Sequence, residues 1–307
     1  MRIIFDTDIG TDVDDCLALA LVLGSPEIRL EAVTCVYGDV VLRSRIVAQQ
    51  LALHGTTGVP IALGARETLM RQRAIYWEGH EGVGLLHPDE RPAGVVDEHA
   101  VDLIVRTVMA HPGEITILAI GPLTNIALAL SREPRIAQAA AGFMLMGGVA
   151  RGPATLSLPV AEHNIVCDPE AAAIVFASGA PIRLVPLDVT TRVSIRQADV
   201  ARLRARHTPY HDAVAGQVER YPRFQRQGQT DLHDPLAAAA LLRPDLLTFQ
   251  PLYVQVETAG RLTGGMTVMR APSQKHPASA EVALDVAVAE AEGWIIDRIA
   301  APLGGGQ

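Results

Sequence analysis

Short apolar runs recur along the chain, and stretches of helical length and composition separate them. The runs 2–5 (RIIF), 30–36 (LEAVTCV), 60–63 (PIAL), 115–120 (ITILAI), 143–147 (FMLMG) and 182–187 (IRLVPL) read as strands. Segments 14–24, 41–55, 99–110, 123–131 and 168–179 read as helices. Strands that are apolar on both faces and alternate with helices predict a mostly parallel central sheet flanked by helices, an α/β fold. Residues 197–243 read as mainly helical. The runs LYVQVE and GMTVMR then predict a small antiparallel appendage near the C-terminus, and EVALDVA with EAEGWIIDRIAAPL predicts a closing strand and helix. No repeat or low-complexity linker divides the chain, so residues 1–307 are expected to form a single domain. The irregular stretch 66–95 is long enough to predict an active-site loop.

Composition narrows the function. The chain is 49% hydrophobic and 20% charged over 307 residues, enough to bury a sizeable core. A net charge of −8 argues against a nucleic-acid partner, which calls for a basic face. No apolar run reaches the roughly 18–20 residues that span a bilayer, so no membrane partner is expected. Cys16, Cys35 and Cys167 are scattered without metal or redox spacing. With a first strand that starts at once and no secretion-signal pattern, they suit a cytoplasmic protein.

The chemistry concentrates at the end of the first strand. In IIFDTDIGTDVDD, five aspartates (Asp6, Asp8, Asp12, Asp14 and Asp15) fall within ten positions. Two carboxylates about 4 Å apart repel by roughly 4 kcal/mol at the effective dielectric of a protein surface. In parallel α/β sheets ligands sit at the carboxyl ends of strands, which is where this cluster emerges. Helix capping accounts for Asp12, read here as an N-cap, and for Asp14 in the first turn. It leaves Asp6, Asp8 and Asp15 unexplained. Oxygen-only ligands predict a hard cation, Ca²⁺ or Mg²⁺. An EF-hand loop starting at Asp6 fails, because Gly10 and Leu17 stand where ligands are needed. A haloacid-dehalogenase-like phosphatase also opens with a strand and D-x-D-x-T. Here, however, Thr11 comes one place late, and Lys275, the sole lysine, lies far from any suitable acidic pair.

DTDIGTDVDD resembles the opening motif of the nucleoside hydrolases, D-x-D-P-G-x-D-D, in a version two residues longer. The resemblance continues through VYGDV (36–40), EGHEGVG (78–84), ILAIGPLTNIALAL (117–130), MGG (146–148), AEHNIVCDPEAA (161–172), PLDVT (186–190) and LHDPLA (232–237). Seven further motifs in family order make it specific. It implies a nucleoside hydrolase-like fold, a nucleoside substrate, a Ca²⁺ cofactor and a homodimer or homotetramer.

The resemblance also implies roles. Asp8, Asp15, Asp234 and the Thr124 carbonyl would hold the metal, with Asp8 as the base that deprotonates water. Asp14 would accept the 2′-hydroxyl, Glu162 and Asn164 would bind the remaining ribose hydroxyls, and Asp39 and His80 fall in motifs that face the substrate. His233 would assist the leaving base, and Trp77, His80, His163, Tyr221 and Phe224 are further base-side candidates. Asp234 could instead cap the helix PLAAAALL, and Asp168, before Pro169, reads as a cap. Three positions depart from the family pattern: Asp39 replaces an Asn, Glu78 a His and Leu156 an Asn. A phosphatase, or a nucleoside- or pentose-binding relative without turnover, are the alternatives.

Overall fold

The computed structural model describes residues 1–75, 81–86, 93–150 and 157–303. Trp77, Glu78, His80 and Leu156 therefore lie outside the described residues.

The first strand, β1 (Arg2–Thr7), shows how the two layers arise. Successive side chains in a strand point to opposite faces. Ile3 and Phe5 accordingly enter one apolar cluster, and Ile4 enters the other. Both faces are buried, so the alternation seen in half-exposed strands is missing and the run reads as continuously apolar. β2 (Arg29–Cys35) and β5 (Ile115–Ala119) flank β1, both parallel to it. The chain builds outward on one side through β3 (Ile61–Leu63) and β4 (Val95–Val96). It then crosses back and builds the other side through β5, β6 (Gly142–Met146) and β7 (Ile182–Val185). The reversal of direction at β1 leaves a crevice beyond its carboxyl end, the position where open α/β sheets bind ligands.

Helices cover both faces. α1 (Asp14–Leu23), α12 (His233–Leu242) and α13 (Val288–Ile299) pack together on one side. The alanines of α12 let it approach α1 closely. α3 (Ala100–Ala110), α4 (Thr124–Arg132) and α7 (Pro169–Ala177) lie over the other cluster.

The expected antiparallel segment is present, and it extends the central sheet. β10 (Leu247–Val256) runs antiparallel to β11 (Thr267–Arg270) and to β12 (Ala280–Val286), while β12 runs parallel to β7. The described sheet therefore has ten strands. A second sheet pairs β8 (Ser194–Arg196) with β9 (Gln229–Asp231), antiparallel. It brackets α9 (Gln197–Arg204), α10 (Pro209–Arg220) and α11 (Pro222–Gln227), and it delivers the chain from β9 straight into α12.

Candidate active site

Three segments converge beyond β1. The loop after β1 carries Asp8, and the first turn of α1 carries Asp14 and Asp15. The first turn of α12 carries Asp234. The carboxylates of Asp14, Asp15 and Asp234 each offer an oxygen within 4.8 Å of the others, and all three residues are buried. Asp8 is 4% exposed and shares the same cavity. Burial pushes the carboxyls of Asp14, Asp15 and Asp234 well above the usual range. Mutual repulsion adds to it: Asp12 acts on Asp14, Asp8 on Asp15, and Asp14 on Asp234. Buried like charges at this density are costly unless a cation joins them.

Local bonds aim these groups. The Thr7 hydroxyl donates to Asp15 Oδ1. The Asp234 backbone N–H lies 3.4 Å from Asp14 Oδ2, linking α12 to α1. Asp6 is used differently: its Oδ2 accepts from Thr34 Oγ1 (2.6 Å) and Asn125 Nδ2 (2.8 Å). That ties β1 to β2 and α4, and burial lifts the Asp6 carboxyl to about 7.

The cavity, of about 380 Å³, is lined by Asp8, Asp14, Asp15, Glu162, Asn164, His233 and Asp234 together with Thr11, Asp12, His163, Tyr221, Arg223 and Arg226, among others. Glu162 caps α6 (His163–Cys167), with Oε1 accepting from the Asn164 N–H (2.7 Å). Its Oε2 accepts from the N–H groups of Gly148 (2.9 Å) and Ile165 (3.2 Å). Burial still raises its carboxyl above the ordinary value. Asn164 Nδ2 donates to the carbonyls of Ile120 (2.8 Å) and Met146 (3.2 Å), so its amide orientation is fixed. His163 Nε2 lies 3.9 Å from Asp8 Oδ2. His233 Nδ1 is 2.7 Å from Thr190 Oγ1, and its Nε2 is 3.6 Å from Asp231 Oδ2. Burial pulls the His233 imidazole below its usual value, against the opposing pull of Asp231.

Other predicted residues are not in the cavity lining. Asp39 caps α2 (Val40–His54), accepting from the N–H groups of Val41 and Leu42, and is not among the cavity-lining residues. Thr124 opens α4, and its hydroxyl donates to Asp168 (2.7 Å). Asp168 is the cap expected of it, accepting from the Ala171 N–H. Phe224 packs into the core instead of lining the cavity.

One capping expectation is corrected. Asp12 is not an N-cap, because Val13 occupies that position before α1 and Asp12 Oδ2 instead accepts from the Tyr221 hydroxyl at 2.6 Å. The alternative of Asp234 as a cap falls away, since α12 begins at His233 with Leu232 as its N-cap. The sequence reading passed over Arg223 and Arg226 on the cavity wall, and Arg43 and Glu81 beneath the acidic loop. Arginine accounts for all but one of the basic residues here, so no single arginine stands out by type.

The family described as inosine-uridine preferring nucleoside hydrolase matches residues 3–292. The chain belongs to this nucleoside hydrolase family. The pyrimidine-specific ribonucleoside hydrolase RihA of Enterobacter sp. (strain 638) is 40% identical over 284 residues, covering 88% of each chain. A purine-preferring ribonucleoside hydrolase from Gardnerella vaginalis superposes with a TM-score of 0.87 at 30% identity, covering 98% of each chain. A plant nucleoside hydrolase gives 0.86 at 29% identity over 98% of this chain and 99% of that one. As a nucleoside hydrolase, the chain is an N-glycosidase acting on ribonucleosides, which sets the phosphatase alternative aside.

Proposed function

We propose that this hydrolase cleaves ribonucleosides to free base and ribose in a Ca²⁺-dependent reaction with Asp8 as general base. The names of the RihA relatives at 37–40% identity favour pyrimidine nucleosides as substrates. The observation that carries the proposal is one cavity holding both the acidic cluster and the Glu162–Asn164 pair. The grouped carboxylates of Asp14, Asp15 and Asp234, with Asp8 in the same cavity, are oxygen donors that suit a hard cation. Asp8, Asp15, Asp234 and the Thr124 carbonyl would hold it. When bound, Ca²⁺ supplies charge that makes a water more acidic and favours the sugar hydroxyls.

The chain's own groups do the rest. The Asp8 carboxylate takes the proton from the attacking water as the sugar develops oxocarbenium character. Asp14 accepts from the 2′-hydroxyl, a contact that strengthens as positive charge grows on the ring. Glu162 and Asn164, fixed by backbone groups, grip the remaining hydroxyls without reorganising. His233, its Nδ1 beside the Thr190 hydroxyl, would offer a ring N–H to the departing base.

Ribose release from uridine, cytidine, inosine and adenosine tests the reading. Wild type releases ribose from at least one of these, and Asp8→Ala reduces kcat by at least about 10³-fold, or roughly 4 kcal/mol of barrier. Full activity in Asp8→Ala, or none in the wild type across the panel, would count against it.

A further inference from the structure

Arg43 is fully buried, yet it contributes nothing to the cavity wall. It projects from the first turn of α2 under the acidic loop and spends its donors on backbone carbonyls and the Thr11 hydroxyl. Nη1 donates to the carbonyls of Asp8 and Ile9, the latter at 2.9 Å. Nε donates to the Tyr37 carbonyl (2.7 Å), and Nη2 donates to Thr11 Oγ1 (3.0 Å). A guanidinium suits this work because its donors form a rigid planar fork.

Across from it stands Glu81, whose side chain is 1% exposed. Glu81 Oε1 accepts from Thr11 Oγ1 at 2.9 Å, and Oε2 lies 3.6 Å from Arg43 Nη1. That second oxygen is buried and makes no hydrogen bond among the described residues. The loop is pressed against this pair at Gly10, whose φ of +116° suits glycine. A Cβ there would sit 2.7 Å from Ile46 Cδ1 and 2.9 Å from Glu81 Oε2. Tyr37, which takes the Nε bond, also has a positive φ, at +67°. Burying an ion pair carries a large desolvation cost, so it is weak evidence of a purely stabilising role. Its bonds instead run to the backbone of Asp8 and to the residues that follow.

We propose that Arg43, clamped by Glu81, is the positioning residue for Asp8: it holds the Asp8 and Ile9 carbonyls and the Thr11 hydroxyl from beneath, which fixes where the Asp8 carboxylate points. This rests on the reading of Asp8 as the general base. The longer acidic loop explains the need, since extra residues between Asp8 and α1 would otherwise leave the base on a slack segment. A lysine keeps the charge but offers a single ammonium for acceptors that the fork reaches from three nitrogens. Glutamine at position 81 keeps the Thr11 contact and removes the countercharge.

The test measures kcat, KM and thermal midpoint for wild type, Arg43→Lys, Glu81→Gln and the double variant, on the best ribonucleoside of the panel. Misplacing the base lowers kcat with little change in ground-state binding. Arg43→Lys is expected to lose at least about tenfold in kcat, with KM within about threefold. Glu81→Gln loses about threefold or more, and the double variant loses no more than Arg43→Lys alone, because the two act through one network. A folded Arg43→Lys with a lower midpoint but wild-type kcat would overturn the proposal. If Arg43→Lys does not fold, Glu81→Gln decides, and wild-type kcat there overturns it. An inactive wild type, or an active Asp8→Ala, would instead remove the premise about the base.

Discussion

His233 illustrates what burial does to a single residue's chemistry. Desolvation lowers its imidazole below the ordinary value, so at neutral pH the ring is neutral. A neutral ring still carries one N–H, which can meet a carbonyl oxygen or ring nitrogen on the departing base. If that is its task, His233→Ala should lose about 10²-fold on uridine and less than about threefold on p-nitrophenyl riboside, whose leaving group needs no proton. Equal losses on both substrates would assign His233 to the sugar or to the fold. At this scale the sequence was most informative where residue type and spacing both constrained the chemistry. Asp8, Asp14, Asp15, Glu162, Asn164, His233 and Asp234 were all named from their motifs, and they share one cavity. Arg43 and Glu81 were not legible, because their value lies in backbone carbonyls brought near them by a loop whose course no local pattern encodes.

Elements were legible in proportion to how much of their stability is local. Buried parallel strands announce themselves as apolar runs, so β1, β2, β5, β6 and β7 appear within a residue or two of expectation. β8 and β9 were missed because each has three residues and exists only by pairing with a distant segment, Ser194 opposite Asp231, 37 positions on. Asp12 misled for a related reason: its carboxylate answers a tyrosine 209 positions away and leaves the helix end to Val13. The helix α10 carries an element-scale prediction. His211, 1% exposed, lies 2.6 Å from Thr208 Oγ1 through Nδ1, and its Nε2 donates to the Ala301 carbonyl at 3.0 Å, fastening α10 to the end of α13. Burial lowers its imidazole below the ordinary 6.5, and it does the same to neighbouring His54. Below pH 6.5 the His211 position therefore binds more proton in the unfolded chain than in the folded one. The stability from a neutral His211 is complete above that pH and is lost as pH falls toward the folded-state value. Urea unfolding of wild type and His211→Gln at pH 7.5 and 5.5 checks this: the gap between them should narrow at pH 5.5. A gap that widens would contradict it.

On the scale of the whole molecule, the topology explains why acidic residues far apart in sequence meet. The sheet reverses direction at β1, and α1 and α12 pack side by side so that their first turns face the same crevice. Parallel order was foreseeable from the alternation of runs and helices. The joining of β10, β11 and β12 to the central sheet was not, since which strand an edge segment pairs with is a tertiary fact. The assembled site concentrates buried negative charge that only a cation offsets well, and this leads to the central claim, that the cavity is a metal-dependent nucleoside hydrolase site. A ligand that binds only the folded state, at 100 times its dissociation constant, adds about 2.7 kcal/mol of stability. The most direct measurement strips the protein of metal, verifies the removal by elemental analysis, and follows ribose release and the thermal midpoint as Ca²⁺ is returned. The account predicts a loss of at least about 10³-fold in turnover on stripping. It also predicts that activity and midpoint recover together along one Ca²⁺ binding curve. Full turnover by verified metal-free protein would contradict it.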